Sequence, residues 1–173
     1  GQDIFLRAIS HIRENISQKV RFLIVGAVES PYLDMIKKMI SDMSLSSVTL
    51  IQETEHVYDY FLLSDVFVCA SYEESFPMVI LLAMAFEIPI VSTNVYGIPE
   101  ILSSEHDSLL VPPGDAVALG KSIERMIHNP EMAKLFSARG YAKVRRLFDS
   151  EHKSVMHEAL VRKITTEEVL GAR

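Results

Sequence analysis

Short β-branched runs alternate with segments of helical period along this chain, and few folds accommodate that alternation. Val20 to Val25 is closed by Gly26 and reads as a buried strand. Ser30 and Pro31 then open a helix, Ser as N-cap and Pro at the first helical position, along which Met35, Ile36, Met39, Ile40 and Met43 recur at helical spacing. Val48–Ile51 predicts a second strand and His56–Ser64 a short helix. Asp65–Ala70 predicts a third strand, followed by the turn Ser71-Tyr72-Glu73-Glu74-Ser75. Phe76 to Phe86 is apolar on every side, which predicts a helix packed deep in the domain. Ile88–Ser92 and Ser108–Val111 are the fourth and fifth strands. Asp115 then caps a helix with Val117, Ile123, Met126 and Ile127 on its apolar stripe, and Asn129-Pro130 breaks it. Helices over 131–147 and 150–164 follow, and a polar tail begins at Thr165. Strands separated by helices pair in parallel, so the expected class is α/β, a doubly wound parallel sheet with helices on both faces. Residues 1–164 form one domain on this reading. Ligands bind such sheets beyond the carboxyl ends of the strands, here Gly26, Gln52–Glu55, Ser71–Ser75 and Thr93–Gly97.

Charge and composition remove several classes of function. Against 17 Lys and Arg stand 23 Asp and Glu, a net charge of −6, with no basic cluster to neutralise phosphates. No nucleic-acid partner is expected. The longest apolar run, Pro77 to Phe86, is about half of a membrane span, so no transmembrane segment is expected. A single cysteine, Cys69, excludes an internal disulfide and a thiolate metal cage, and its apolar strand marks it as a small buried residue. The opening GQDIFLRAIS lacks the charged-then-apolar pattern of a signal peptide, and the expected location is cytoplasmic.

Familiar cofactor motifs are missing. After the first strand stands VGAVESP, with one glycine where a dinucleotide loop needs three, and no Walker loop is present. The histidines fall at 11, 56, 106, 128, 152 and 157 without metal-ligand spacing, and His152 and His157 would lie about 140° apart on a helix. No metal site is expected. His106-Asp107-Ser108 spells three triad letters, but adjacent residues cannot converge on one reaction centre, and the segment reads as a turn.

Chemistry concentrates between Ser71 and Glu100. Glu74 lies where a strand ends and a helix begins. Such a helix start offers unpaired backbone N–H groups and the positive end of the dipole, an anion site. Pro77 has no N–H, which restricts the expected phosphate cradle to Ser75, Phe76 and Met78. A carboxylate repels phosphate, so Glu74 suits hydroxyl groups better. Two readings of Glu74 stand on these residues: a helix cap, with Ser75 bonded locally, or a sugar-binding side chain.

The run S-x-x-E-S-F-P-x-V-x-L-x-A-M-A-x-x-x-P-I-V-S-T, then G-I-P-E-I-L and L-L-V-P-P-G-D, resembles retaining glycosyltransferase family 4. The likeness extends through His128-Asn129-Pro130-Glu131 and Phe148 and back to Gly1-Gln2-Asp3, where the family often reads K-G-x-D. It implies a Rossmann-like domain, one half of a GT-B fold, that binds a nucleotide sugar with a UDP, GDP or ADP carrier. Glu74 would hold sugar hydroxyls, the helix start behind it the phosphates, and Tyr96, Gly97 and Ile98 the sugar side. Gly26, Gln52 and Glu53 would flank the base. The resemblance also implies no metal or other cofactor, and an N-terminal acceptor-binding domain of the same protein as partner. That domain is a possible route to the membrane surface, and this chain alone is expected to turn over nothing.

The sequence departs from the family pattern at named places. The family pairs Glu74 with a second Glu eight residues on, which grips the ribose; that position is Leu82, and counting from Glu73 reaches Leu81. Losing a charged acceptor for two hydroxyls costs about 1.5–3 kcal/mol, roughly tenfold to a hundredfold in affinity. Pro77 replaces a common glycine, and Tyr96-Gly97 a common Gly-Gly pair. The basic residues that hold the diphosphate are expected upstream of Gly1. The alternative is a degenerate, non-catalytic partner of a glycosyltransferase.

Overall fold

A computed structural model describes residues 1–12, 16 and 19–148. The expected helix over 150–164, the polar tail and His152 and His157 lie outside the described residues. Twelve elements are described within them, in the order α1 (Gln2–His11), β1 (Phe22–Ala27), α2 (Pro31–Asp42), β2 (Val48–Gln52), α3 (Val57–Leu62), β3 (Phe67–Cys69), α4 (Met78–Ala85), β4 (Ile90–Thr93), α5 (Ile98–Ile101), β5 (Leu109–Val111), α6 (Ala116–His128) and α7 (Pro130–Phe148).

All strand pairings are parallel, and helices cover both faces, as the alternation requires. The strands form two sheets, β1-β2 and β3-β4-β5, where the sequence predicts one. In β1 the register slips between Val25 and Ala27, and Gly26 fills that bulge at φ +92°. That backbone region strains any residue with a Cβ. Two apolar clusters lie on opposite faces of β3-β4-β5. One joins Ile4, Ala8 and Ile9 of α1 to Phe22, Val91, Leu109, Ile123 and Met126. The other joins Phe61, Ile80, Leu81, Met84, Ile90, Ile98 and Ile101.

Capping sets the helix starts. Ser30 Oγ accepts from the Leu33 N–H at 3.2 Å, with Pro31 at the first helical position, and Asp115 Oδ1 accepts from the Ala118 N–H at 2.9 Å. The apolar segment begins its helix at Met78, two residues later than its composition predicts. Proline is the cause: it holds its own φ at −73° and biases the residue before it toward extended backbone. Ile80, Leu81, Ala83 and Met84 of α4 are buried, and burial of each large side chain contributes about 1.5–3 kcal/mol. On α6 the buried stripe is Leu119, Gly120, Ile123 and Met126, while the expected Val117 is 43% exposed at the helix start.

Two elements were not expected from the sequence. Helix α1 buries Ile4, Leu6, Ala8 and Ile9, and α5 is a single turn after Gly97. The turn 106–108 is organised by Asp107, whose buried carboxylate accepts from the Ser103 N–H at 2.7 Å and pairs with Lys143 of α7 at 3.0 Å.

Candidate functional site

Beyond the carboxyl ends of β3 and β4 the chain makes two turns that interlock. Thr93, the last residue of β4 and wholly buried, donates its hydroxyl to the Ser71 carbonyl at 2.6 Å. Ser71 in turn donates its hydroxyl to Glu74 Oε1 at 3.3 Å and stands 3.5 Å from Cys69 Sγ. The Glu74 carboxylate is therefore held from behind by the strand ends and is half-buried.

The second turn locks onto the first. The Gly97 N–H donates to the Glu74 carbonyl at 3.1 Å. A Cβ placed on Gly97 would stand 1.8 Å from the Ser75 carbonyl oxygen, so only glycine lets the two backbones meet this closely. Its φ of −75° is ordinary, and the requirement is one of space. Tyr96 beside it occupies the left-handed region at φ +41°, and the residue is 72% exposed. Ile98 opens α5 with its side chain wholly buried, leaving only backbone groups to face a ligand.

Helix α4 has Pro77 as its N-cap and no side-chain capping bond. Glu74 is bonded to Ser71 instead, so capping does not account for it. The Ile80 N–H is taken by the Pro77 carbonyl at 3.0 Å. The first-turn donors of α4 are therefore Met78 and Val79, the second of which the sequence reading lacked. Ser75 and Phe76 lie in the turn before the helix. Leu82 is half-buried against the second apolar cluster.

Gln52 pairs with Ala27, next to the bulged Gly26, and Glu53 follows on an exposed loop. Gly26, Gln52 and Glu53 sit at the carboxyl end of the β1-β2 sheet. Tyr72, which sequence reasoning missed, donates its hydroxyl to Asp3 Oδ2 at 3.0 Å, and Tyr32 donates to Asp3 Oδ1 at 3.4 Å. Partial burial, and then the hydrogen bond and charge of Asp3, push the Tyr72 phenol above its ordinary value. Asp3, in the opening Gly1-Gln2-Asp3, was the signal that could have located this tie. Among the described residues, no group of three or more His, Cys, Asp or Glu could hold a metal ion. The half-buried Glu74 side chain can accept hydrogen bonds from hydroxyl groups, while the start of α4 beside it can meet an anion.

The family described as "Glycosyl transferases group 1" matches residues 1–143. The chain belongs to the group 1 glycosyltransferases. Its fold is one Rossmann-like half of a GT-B enzyme. The chain is similar to the N-acetyl-α-D-glucosaminyl L-malate synthase of Bacillus anthracis, at 25% identity over 92% of this chain and 41% of that protein. The fold of the Anabaena protein HepE, solved in complex with UDP, superposes with a TM-score of 0.85 at 20% identity, over 94% of this chain and 45% of that one. The C-terminal domain of a group 1 glycosyltransferase (LpcC) from Francisella tularensis superposes at 0.76 and 20% identity, over 87% of this chain and 80% of that domain. This glycosyltransferase chain spans less than half the length of the curated relatives it matches. No helix among its described residues is long and apolar enough to cross a membrane.

Proposed function

We propose that this chain is the donor-binding half of a retaining, metal-independent hexosyltransferase that moves a sugar from a nucleoside diphosphate to an acceptor hydroxyl. The carrying observation is the interlocked pair of turns that presents the Glu74 carboxylate beside the start of α4. Glu74 orients the sugar through its hydroxyls. The Met78 and Val79 N–H groups, with Ser75 and Phe76 in the preceding turn, meet the phosphates as the leaving diphosphate gains charge. Gly97, Ile98 and the Tyr96 ring border the sugar, and Gly26, Gln52 and Glu53 border the base. Catalysis is positioning plus stabilisation of the leaving group. The acceptor is supplied across the cleft by an N-terminal domain of the same polypeptide, without which the chain is inactive. The UDP held by HepE supports a uridine carrier.

Calorimetric titration of UDP-, GDP- and ADP-sugars into the full-length protein tests this reading, with Glu74→Gln and Leu82→Glu run alongside. One nucleotide class should bind, Glu74→Gln should weaken it at least tenfold, and Leu82→Glu should tighten it. Transfer should survive a chelator and give the anomer of the donor. A folded protein that binds no donor, with or without Leu82→Glu, would replace the enzyme by a non-catalytic partner. The packing of Leu82 against the core is what that second reading has in its favour.

A further inference from the structure

Two connections leave the carboxyl ends of β1 and β3, and those strands belong to different sheets. Residues 28–30 lead from β1 into α2, and the turn 71–75 leads from β3 toward α4. No strand pairing among the described residues joins β1 to β3, so the spacing of the two connections is left to helices and side chains. A ligand that touches both needs that spacing held, since a misplacement of about 1 Å costs roughly a hundredfold in rate.

Asp3 is bonded to both connections. Tyr72, in the turn 71–75, donates its hydroxyl to Asp3 Oδ2 at 3.0 Å. Tyr32, in the first turn of α2, donates to Asp3 Oδ1 at a longer 3.4 Å and stands 3.2 Å from Gln2 Oε1. A phenol has one proton, so Tyr32 divides it between neighbouring acceptors and the Tyr72 bond is the firmer of the pair. The carboxylate is sheltered: 14% of the Asp3 side chain is exposed, and Arg7, one turn along α1, stands 3.9 Å from Oδ2. Helix α1 gives Asp3 a fixed footing. Its buried face holds Ile4, Leu6, Ala8 and Ile9, and its first residue lies against the end of β3, where a Cβ on Gly1 would stand 1.9 Å from the Ala70 carbonyl oxygen.

The turn that carries Glu74 is therefore tied in three directions. Thr93 holds the Ser71 carbonyl and Gly97 holds the Glu74 carbonyl, both from the side of β4. The bond from Tyr72 to Asp3 leads the other way, and through Tyr32 it reaches the connection from β1. Tyr72 lies between Ser71 and Glu74, which are themselves hydrogen-bonded, so a shift of Tyr72 passes to the Glu74 carboxylate.

We propose that Asp3 is a positioning residue: bonding Tyr32 and Tyr72 at once, it sets the spacing between the connection that leaves β1 and the turn that carries Glu74. The tie stands on geometry, and its bearing on transfer rests on the donor-site reading above. A donor held by its base near Gly26 and by its sugar at Glu74 stays bound but misaligned once the tie is cut. Asparagine has one acceptor oxygen where the carboxylate has two, so it serves one tyrosine and not both.

Selective glycine labelling of the full-length protein reads the spacing by NMR without any ligand. The Gly97 amide reports the turn whose Glu74 carbonyl it meets, and the Gly26 amide reports β1. Tyr32→Phe should shift the Gly97 resonance, and Tyr72→Phe the Gly26 resonance. Both cross-effects should vanish in an Asp3→Ala background, with Asp3→Asn in its place where the alanine variant does not fold. Cross-effects missing from the parent protein, or persisting without the carboxylate, would overturn the proposal. In transfer assays Tyr32→Phe should lower kcat about tenfold with the donor KM unchanged. Unchanged kcat in a protein that transfers sugar would overturn the proposal too. A parent protein with no transfer would sink the donor reading alone, and the glycine shifts would still decide the role of Asp3.

Discussion

Gly97→Ala tests the interlock of the two turns most directly. The added methyl would lie 1.8 Å from the Ser75 carbonyl oxygen and 2.8 Å from its carbon, both backbone atoms that no rotamer change can move aside. Ordinary contact needs about 3.5 Å, so one of the turns must retreat by more than about 1 Å. That retreat breaks the Gly97 N–H bond to the Glu74 carbonyl, a loss of about 0.5–1.5 kcal/mol. Overpacking adds about 1–3 kcal/mol, for a total near 2–4 kcal/mol. Urea unfolding of the full-length protein should show a lower midpoint at unchanged slope. Transfer by the full-length protein should slow more than stability implies, because a displacement of about 1 Å at Glu74 costs roughly a hundredfold in rate. Gly26→Ala is the contrast: no atom lies within 4 Å of its Cβ, and its φ of +92° alone costs about 1–2 kcal/mol. A Gly97→Ala protein with the parent unfolding midpoint would refute the steric argument, whatever its transfer rate.

Tyr96→Gly should leave stability unchanged or raise it by up to about 1 kcal/mol in the same assay, since relief of the left-handed φ of +41° is partly offset by glycine's entropy. Asp107→Ala should cost about 3 kcal/mol or more, because it removes the acceptor of the Ser103 N–H and leaves the half-buried Lys143 ammonium with the Ser103 hydroxyl but no carboxylate; Asp107→Asn should recover part of the loss through its amide oxygen. Tyr72 is favoured as the neutral phenol in the folded protein. Its contribution is complete below pH 10.0 and is lost as pH rises through the raised folded value. Burial, with Asp3 beside it, also raises Tyr32, so alkaline absorbance titration should show two late tyrosinates, of which Tyr72→Phe removes one.

Much of the fold was legible because its signals are local. Ser30 before Pro31 and Asp115 after Gly114 specify helix starts through bonds that span three residues. The five strands are short apolar runs closed by turn residues, and the helices between them force parallel pairing. Glu74 could be singled out because the strand, turn and apolar helix around it are contiguous in sequence. Helix α1 was within reach as well: Ile4, Ala8 and Phe5, Ile9 already stand at four-residue spacing, though no capping side chain marks the helix start.

What the chain alone did not disclose depends on residues far apart in sequence. Glycine at 97 is required by the Ser75 carbonyl on another turn, not by its own backbone angles. Lys143 gives Asp107 its partner from 36 residues away, and Tyr72 reaches Asp3 across 69. The division of the strands into β1-β2 and β3-β4-β5 is likewise invisible in the strand sequences, since a strand's composition reports that its faces are covered but not which edges are paired. Sequence determined the elements and the turn that carries Glu74; only the tertiary structure decided which backbones meet, because close approach and edge pairing are fixed by three-dimensional packing rather than by local propensity.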